Sequence, residues 1–396
     1  VKVGEEFVRT EVQFIPAKLK VIDHYRETYE CRSCRKNGTP YMEKAPVPYP
    51  PVLHSLASAS TITWLIHQKF ELSIPLYRQE KEWEALGLRL SRATMSNWLL
   101  VVYRDWLVHI VHRLKLELLK QRYLHIDETH VQVLKEPGRK NTSDSYMWVY
   151  CSIRDAVNPI HYFEYQPGRS GKYPEAFLME YEGYIHTDAY SGYNAVSGVK
   201  RCLCYTHLRR AFVDALPKDI HNSEASKPAE AILRLNQLFN IESELEALPP
   251  DQKKKERLIR EKPLLEAFWS WAEKSAIGEL PKSKFSKAFH YALNNREGFW
   301  NYLEDGNCSI SNSLAENCIR PFVIGRKNWL FSGSPKGAEA SAGIYTLVET
   351  AKANGLAPMK YIKYILSDMP GSAFLEHPEY LDDYLPWNPL VKEFCR

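Results

Sequence analysis

Apolar positions change period several times along the chain, and each change marks a predicted element. Residues 7–30 alternate apolar and polar side chains, as in Glu11-Val12-Gln13-Phe14-Ile15 and Lys20-Val21-Ile22, which predicts strands. Pro40, Pro46, Pro48, Pro50 and Pro51 then predict an extended linker. From Leu53 to Phe70 the apolar residues Leu53, Leu56, Ala57, Trp64 and Leu65 recur at helical spacing. Pro75 opens a second helix whose face continues through Trp83 and Leu86, and Gly87 can end it. Ser91 is a natural N-cap for a third helix. Residues 98–122 continue as a long amphipathic helix.

The period then drops to two. Tyr123-Leu124-His125-Ile126-Asp127-Glu128-Thr129-His130-Val131-Gln132-Val133 is rich in β-branched and aromatic residues and reads as a buried strand. His125, Asp127, Thr129 and Val131 share one face, and Leu124, Ile126, Glu128 and His130 the other. Further strands are predicted at 145–153, 159–165, 183–190 and 199–205, with helices around 173–181 and 206–212. The order β-β-β-α-β-α-β-α gives a mixed sheet with helices packed on it, an α/β fold with the element order of the ribonuclease-H-like class. Residues 217–300 break the pattern and read as a charged helical insertion, including Lys253-Lys254-Lys255-Glu256-Arg257, a basic run along DNA or a solvated helix face. A short helix capped by Ser311 or Asn312 carries Glu316 beside Arg320, four residues on. Helices over 338–368 close the chain.

Composition narrows the class. The chain of 396 residues has 44% hydrophobic and 25% charged residues, ordinary for a globular protein with a large core. No apolar run reaches the ~20 residues of a membrane span, so no membrane partner is expected. The start Val1-Lys2-Val3-Gly4 has no signal-peptide layout and no initiator Met, and reads as a piece of a longer protein. Eight scattered Cys argue against a disulfide scaffold and for a reducing cytoplasm. Net charge is only +4, but residues 1–126 hold 19 Lys and Arg against 13 Asp and Glu. That excess suits a module that contacts phosphate.

An acid in the middle of a core strand is costly unless something compensates its charge. Asp127 in mid-strand, Asp188 at a strand end and Glu316 on a late helix are the three carboxylates placed for this. In a ribonuclease-H-like sheet the first and fourth strands are neighbours, which sets Asp127 beside Asp188. A pair of Mg²⁺ ions would relieve their repulsion and supply phosphoryl-transfer chemistry. Each acid also has a plain structural alternative, such as turn capping by Asp188 or an ion pair of Glu316 with Arg320. Glu128 competes with Asp127 but points to the opposite face. Cys31 and Cys34 form half of a tetrahedral zinc site, or a turn with two free thiols. The helix, glycine turn and polar-fronted helix around Arg92, Thr94, Ser96 and Asn97 form a helix-turn-helix pattern or a plain bundle. Cys204-Tyr205-Thr206-His207 begins a helix that can face phosphate.

Several runs resemble the insertion-sequence-66 family of DDE transposases, nearly end to end. They include Phe14-Ile15-Pro16-Ala17-Lys18, Pro75-Leu76-Tyr77-Arg78-Gln79-Glu80, His125-Ile126-Asp127-Glu128-Thr129 and Asp188-Ala189-Tyr190-Ser191-Gly192-Tyr193. The longest is Ala315-Glu316-Asn317-Cys318-Ile319-Arg320-Pro321 followed by Gly325-Arg326-Lys327-Asn328-Trp329-Leu330-Phe331. The resemblance implies a catalytic triad of Asp127, Asp188 and Glu316 using Mg or Mn. It implies cleavage at transposon ends and transfer of the 3′-hydroxyl to target DNA, an N-terminal zinc segment and a helix-turn-helix that reads the ends. Arg92, Thr94, Asn97, His207, Arg210, Arg320, Arg326 and Lys327 are the candidates for contacting DNA. The protein is expected to act in the bacterial cytoplasm at the nucleoid as a homo-oligomer on DNA, together with accessory proteins of the same element.

The expected layout is a zinc-binding-like segment at 1–45, helix-turn-helix region at 46–120, catalytic core at 121–216 and 301–350, insertion at 217–300 and helical tail at 351–396. The chain departs from the family at Ser311-Asn312-Ser313 and Asn317, and only two of four zinc cysteines are present. These departures leave two rivals: a truncated or decayed copy that binds DNA without catalysis, and a structure-selective nuclease of the same fold.

Overall fold

The computed structural model describes residues 3–15, 17–217, 226–277 and 283–396. The part of the predicted insertion at 218–225 and 278–282 lies outside the described residues.

The N-terminal alternation does not build strands. Residues 3–27, as far as described, have no regular element, and Phe7, Val12 and Phe14 are exposed. Alternation gives a strand two faces, but an extended segment is stable only with a partner strand and a core. Only β1 (Thr28–Glu30) and β2 (Met42–Lys44) pair, antiparallel, with Cys31 and Cys34 at the turn between them. A short helix, Arg32–Lys36, contains Cys34, and the helix expected from Leu53 begins at Ala59, because Ser58 caps it by accepting the Thr61 N–H. Helices Leu76–Ala85 and Arg92–Val102 follow, joined by a turn in which Gly87 has φ +89°. That backbone region suits glycine.

The main sheet has the order β5-β4-β3-β6-β7. Strands β3 (Tyr123–Val133), β4 (Asp144–Ser152) and β5 (His161–Gln166) form the antiparallel meander. Strand β6 (Tyr184–Thr187) lies parallel to β3, and β7 (Lys200–Leu203) parallel to β6. The helix expected between β6 and β7 is only a 3₁₀ turn, Ser191–Ala195. Strand β8 (Phe331–Ser332) joins β3 further along, beside Gln132 and Val133. The β5 edge is closed by helix Pro335–Ala353, whose Thr346 and Thr350 hydroxyls accept the N–H groups of Phe163 and His161 at 2.8 and 3.1 Å. An open edge would offer those groups to another chain.

Two hydrophobic cores result. One joins β3–β5, the N-terminal helices and the C-terminal helices; the other joins β7, helix Tyr205–Val213 and the helices within 227–300. Among the described residues no helix is long and apolar enough to cross a membrane.

The basic run of the insertion is not simply a solvated face. Lys254 and Lys255 are exposed, but Arg257 is wholly buried. Its guanidinium donates to both oxygens of Glu242, at 2.5 and 2.9 Å, and to the carbonyls of Tyr302, Asp305 and Cys308. Beside it, Glu261 is also wholly buried and accepts from the Tyr302 hydroxyl at 2.6 Å. Burial, then the Glu242 charge, push the Glu261 carboxyl up to about 8, from an ordinary 4.5. Between those values the unfolded chain has lost a proton that the folded chain keeps, so stability falls as pH rises. Glu261→Gln is expected to flatten this slope, with urea midpoints gaining on the parent between pH 5 and pH 8. An unchanged slope would mean that Glu261 is ionised in the fold.

Candidate active site

The β3–β6 register ends at His125 opposite His186. Continued by two residues, it sets Asp188 beside Asp127. Asp127 is half-buried on β3, and Asp188 follows β6 directly. Each carboxylate accepts one nearby backbone N–H, from Glu128 at 2.9 Å and from Tyr190 at 3.0 Å. Burial, and next the Glu128 charge, push the Asp127 carboxyl up to about 7; Asp188 and Glu316 push in the same direction. The three acids therefore lie within electrostatic reach of one another.

Glu128 faces the other way. Its side chain is 1% exposed and is held by Arg169 and the Tyr193 hydroxyl. Arg169 also stands 3.8 Å from Asp188 and 3.9 Å over the Tyr190 ring. Sequence reasoning missed Arg169 and Tyr193. The available signal was Glu128 itself, since a carboxylate on the second face of a core strand needs a partner.

Glu316 sits in the first turn of helix Ser313–Trp329, which runs unbroken through Pro321 and is much longer than expected. Asn312 precedes this helix but its side chain does not cap it. Its Nδ2 donates to Ile126 O at 2.8 Å, and its Oδ1 faces His125 Nδ1 at 2.9 Å. Asn312 thus ties the start of the helix to β3, one residue from Asp127. The ionic partner of Glu316 is His207 at 3.6 Å, where sequence spacing suggested Arg320, which is exposed. His207 is raised above its ordinary pKa by its hydrogen bond to Cys204; burial opposes, and Glu316 and Asp188 add to the rise. A cleft of about 340 Å³ opens here, lined by Arg169, Asp188, Tyr190, His207, Arg210 and Tyr291.

The donor types suit a divalent cation, but the oxygens of Asp127, Asp188 and Glu316 do not all come within 4.8 Å of one another, so an ion would have to draw them closer. Asp127 has no cationic partner within ion-pair distance among the described residues, and Glu316 Oε1 is buried without a hydrogen-bond partner. Carboxylate oxygens are hard donors that suit Mg²⁺ or Mn²⁺.

The other predicted residues divide. Arg92, Asn97, Arg210, Arg320 and Lys327 are exposed. Thr94 is occupied in the cap, its hydroxyl 2.9 Å from that of Ser91. Arg326 is partly exposed and donates through Nη1 to Thr129 Oγ1 at 3.0 Å and to the His130 carbonyl. It anchors its helix to β3 with that one nitrogen, and its other guanidinium N–H groups are not used in these bonds. Cys31 and Cys34 are both reduced, and no third His, Cys, Asp or Glu joins them at metal-ligand distance among the described residues.

Comparison with known proteins identifies the family. The chain is 26% identical to the uncharacterized protein y4hP of Sinorhizobium fredii (strain NBRC 101917 / NGR234), over 98% of this chain and 71% of that protein. It is 27% identical to the uncharacterized protein y4qI of the same strain, over 98% of this chain and 72% of the relative. Residues 1–35 match the zinc-finger binding domain of transposase IS66. Residues 54–340, which contain all three acids and both halves of the sheet, match the transposase IS66 family, and the chain belongs to that family.

Proposed function

We propose that this protein is a DNA transposase that cuts strands at the ends of its element and joins them to target DNA, with Asp127, Asp188 and Glu316 as the catalytic triad. The observation that carries the reading is the convergence of these acids from β3, the end of β6 and one helix start, with Asp127 pushed to about 7 by burial and by its acidic neighbours. The order of antiparallel and parallel strands supports a ribonuclease-H-like core.

Bound Mg²⁺ or Mn²⁺ would supply Lewis-acid activation of the attacking oxygen and stabilise the leaving oxygen. The chain's own residues do the rest. Asp127, Asp188 and Glu316 hold the charge-compensating site. Arg169, at the cleft, links Asp188 to Glu128, which Tyr193 also holds, and Asn312 fixes the distance between β3 and the Glu316 helix. His207 and Arg210 face the cleft, where a phosphate would lie. The helix-turn-helix pattern at Leu76–Val102 reads the transposon ends, with Arg92 and Asn97 as its exposed contacts. Cys31 and Cys34 supply half of a zinc site. The working unit is a homo-oligomer on DNA with accessory proteins of the element, in the bacterial cytoplasm at the nucleoid.

The test uses labelled DNA carrying the element's own end, with accessory proteins supplied. Nicking and joining that require Mg²⁺ and stop with EDTA or with Asp188→Asn are expected. Binding without any cutting under Mg²⁺ or Mn²⁺ favours the decayed copy, a reading that the substituted Ser311, Ser313 and Asn317 keep open. Cutting of any DNA without joining favours a nuclease. Arg92→Ala and Asn97→Ala are each expected to weaken end-DNA binding by about tenfold or more in a mobility-shift titration, the range for a base-edge or phosphate contact. Unchanged affinity in both would remove that helix from the interface.

A further inference from the structure

Among the described residues, three groups of Cys, His and Glu bring ligand atoms within 4.8 Å of one another. Cys204, His207 and Glu316 belong to the candidate active site. In His186, Cys202 and Cys308 both imidazole nitrogens are already engaged: Nδ1 faces Leu124 O at 3.2 Å and Nε2 accepts the Ser309 N–H at 2.9 Å. A metal there would have to displace one of these bonds. The third group is Cys151, His161 and Cys318. It joins β4, the first residue of β5 and the Glu316 helix.

This third group has three of the four ligands that a closed metal site needs. Cys151 is wholly buried and Cys318 is 6% exposed; both are free thiols. Cys318 Sγ lies 3.4 Å from His161 Nε2. Zinc holds a thiolate at ~2.3 Å and an imidazole nitrogen at ~2.0 Å, so the edge of its tetrahedron between them is about 3.5 Å. The thiol and imidazole therefore already stand at the spacing of two zinc ligands. His161 Nδ1 is buried without a partner, so the ring's hydrogen bonding is incomplete. Glu349, on helix Pro335–Ala353, is 7% exposed and its charge acts on both thiols, but its carboxylate stands outside the 4.8 Å group and would have to turn inward to reach a metal there. It is ion-paired with Lys352 at 2.8 Å and still has a second carboxylate oxygen to offer.

We propose that Cys151, His161 and Cys318 form a structural zinc site, with Glu349 turning in from the neighbouring helix as the fourth ligand. Sulfur and imidazole donors select zinc over the hard cations of the acid triad. Binding releases the two thiol protons and leaves the cluster with one net negative charge, which Lys352 faces. The ion would clamp two strands to the helix that carries Glu316, two residues before Cys318 and on nearly the opposite side of the helix. This last consequence rests on the proposed role of Glu316; the existence of the site does not.

The test is metal content of the full chain carrying Cys31→Ser and Cys34→Ser, so that the N-terminal half site is silent. One zinc per chain is expected by elemental analysis, lost in Cys151→Ser and in Cys318→Ser and retained in Cys204→Ser. Cobalt added to the zinc-stripped parent should give thiolate-to-metal charge-transfer absorption, a readout that needs no substitution in the core. Stripping should also lower the melting temperature by several degrees, and zinc should restore it. A folded parent without zinc and without that absorption would leave only a thiol–imidazole hydrogen bond and overturn the proposal. So would zinc that persists in both Cys151→Ser and Cys318→Ser. None of these readouts depends on DNA cleavage, so failure here and failure of the transposase reading are separable.

Discussion

Asp127→Asn is expected to lower strand cleavage and joining by on the order of 10³- to 10⁴-fold, the usual scale for losing a member of a catalytic set. Binding of end DNA should be retained. The substitution keeps the shape of the side chain and removes only a charge. Burial and the Glu128, Asp188 and Glu316 charges hold the Asp127 carboxyl near 7, so ionising it without a bound cation costs the fold stability. The variant should therefore melt no lower than the parent in EDTA at pH 8, and somewhat higher if the carboxylate was strained. Lost activity combined with kept or improved stability is the signature of a functional acid. Glu128→Gln separates the neighbouring role. It weakens the tie between Arg169 and β3, so its loss of activity should come with a lower melting temperature. Nicking assays and thermal melts on the same preparations decide the matter; more than a tenth of parental activity in Asp127→Asn would place the chemistry elsewhere.

Arg257→Met should destabilise the protein by about 3 kcal/mol, because the buried Glu242 carboxylate then keeps only Lys253, at 3.3 Å, as a cationic partner. Three carbonyls, of Tyr302, Asp305 and Cys308, also lose their donor. The surrounding packing is too close to let water in as a substitute. A Cβ placed on Gly306 would stand 1.8 Å from Pro250 O, so that loop touches the insertion backbone to backbone. The segment 302–308 leads straight into Asn312 and Glu316, and activity is expected to fall with stability. Adding Glu242→Leu should recover part of the loss, because the poorly compensated charge is then gone. Urea unfolding measures all three proteins. A loss below about 1 kcal/mol in the single variant would mean that Glu242 reaches water or takes up a proton.

The central sheet was legible because β3, β4 and β5 carry dense β-branched and aromatic runs, although their burial does not alternate: 124–126 in β3 and 147–152 in β4 are buried in succession. Asp127 stood out for a related reason, since a carboxylate in a core strand has few structural excuses, whereas Asp188 after β6 and Glu316 on a helix carry no such local mark. What the sequence concealed were contacts between distant segments. Arg257 lies in a run of lysines, and nothing local distinguishes the two cations of that run, Lys253 and Arg257, that turn inward to meet Glu242. Arg326 follows the same logic, since nothing near it in the chain announces its bonds to β3. Glu316 chose His207 over Arg320 because the helix start is fixed by Asn312 against β3, which turns its first face toward helix Tyr205–Val213. At the N-terminus the alternating pattern was genuine but found neither a core nor a partner strand.

The division into two cores has a spectroscopic consequence. Of the ten tryptophans, Trp269, Trp271 and Trp300 belong to the core around the insertion helices, and the other seven to the core on the far side of the sheet. Indole emission therefore reports two populations at once. A denaturation curve followed by total fluorescence will be weighted toward the larger group, and its steepness will understate cooperativity wherever the two cores loosen at different denaturant concentrations. Replacing Trp269, Trp271 and Trp300 with Phe would leave a probe of the sheet core alone. The difference from the parent signal would then isolate the melting of the insertion.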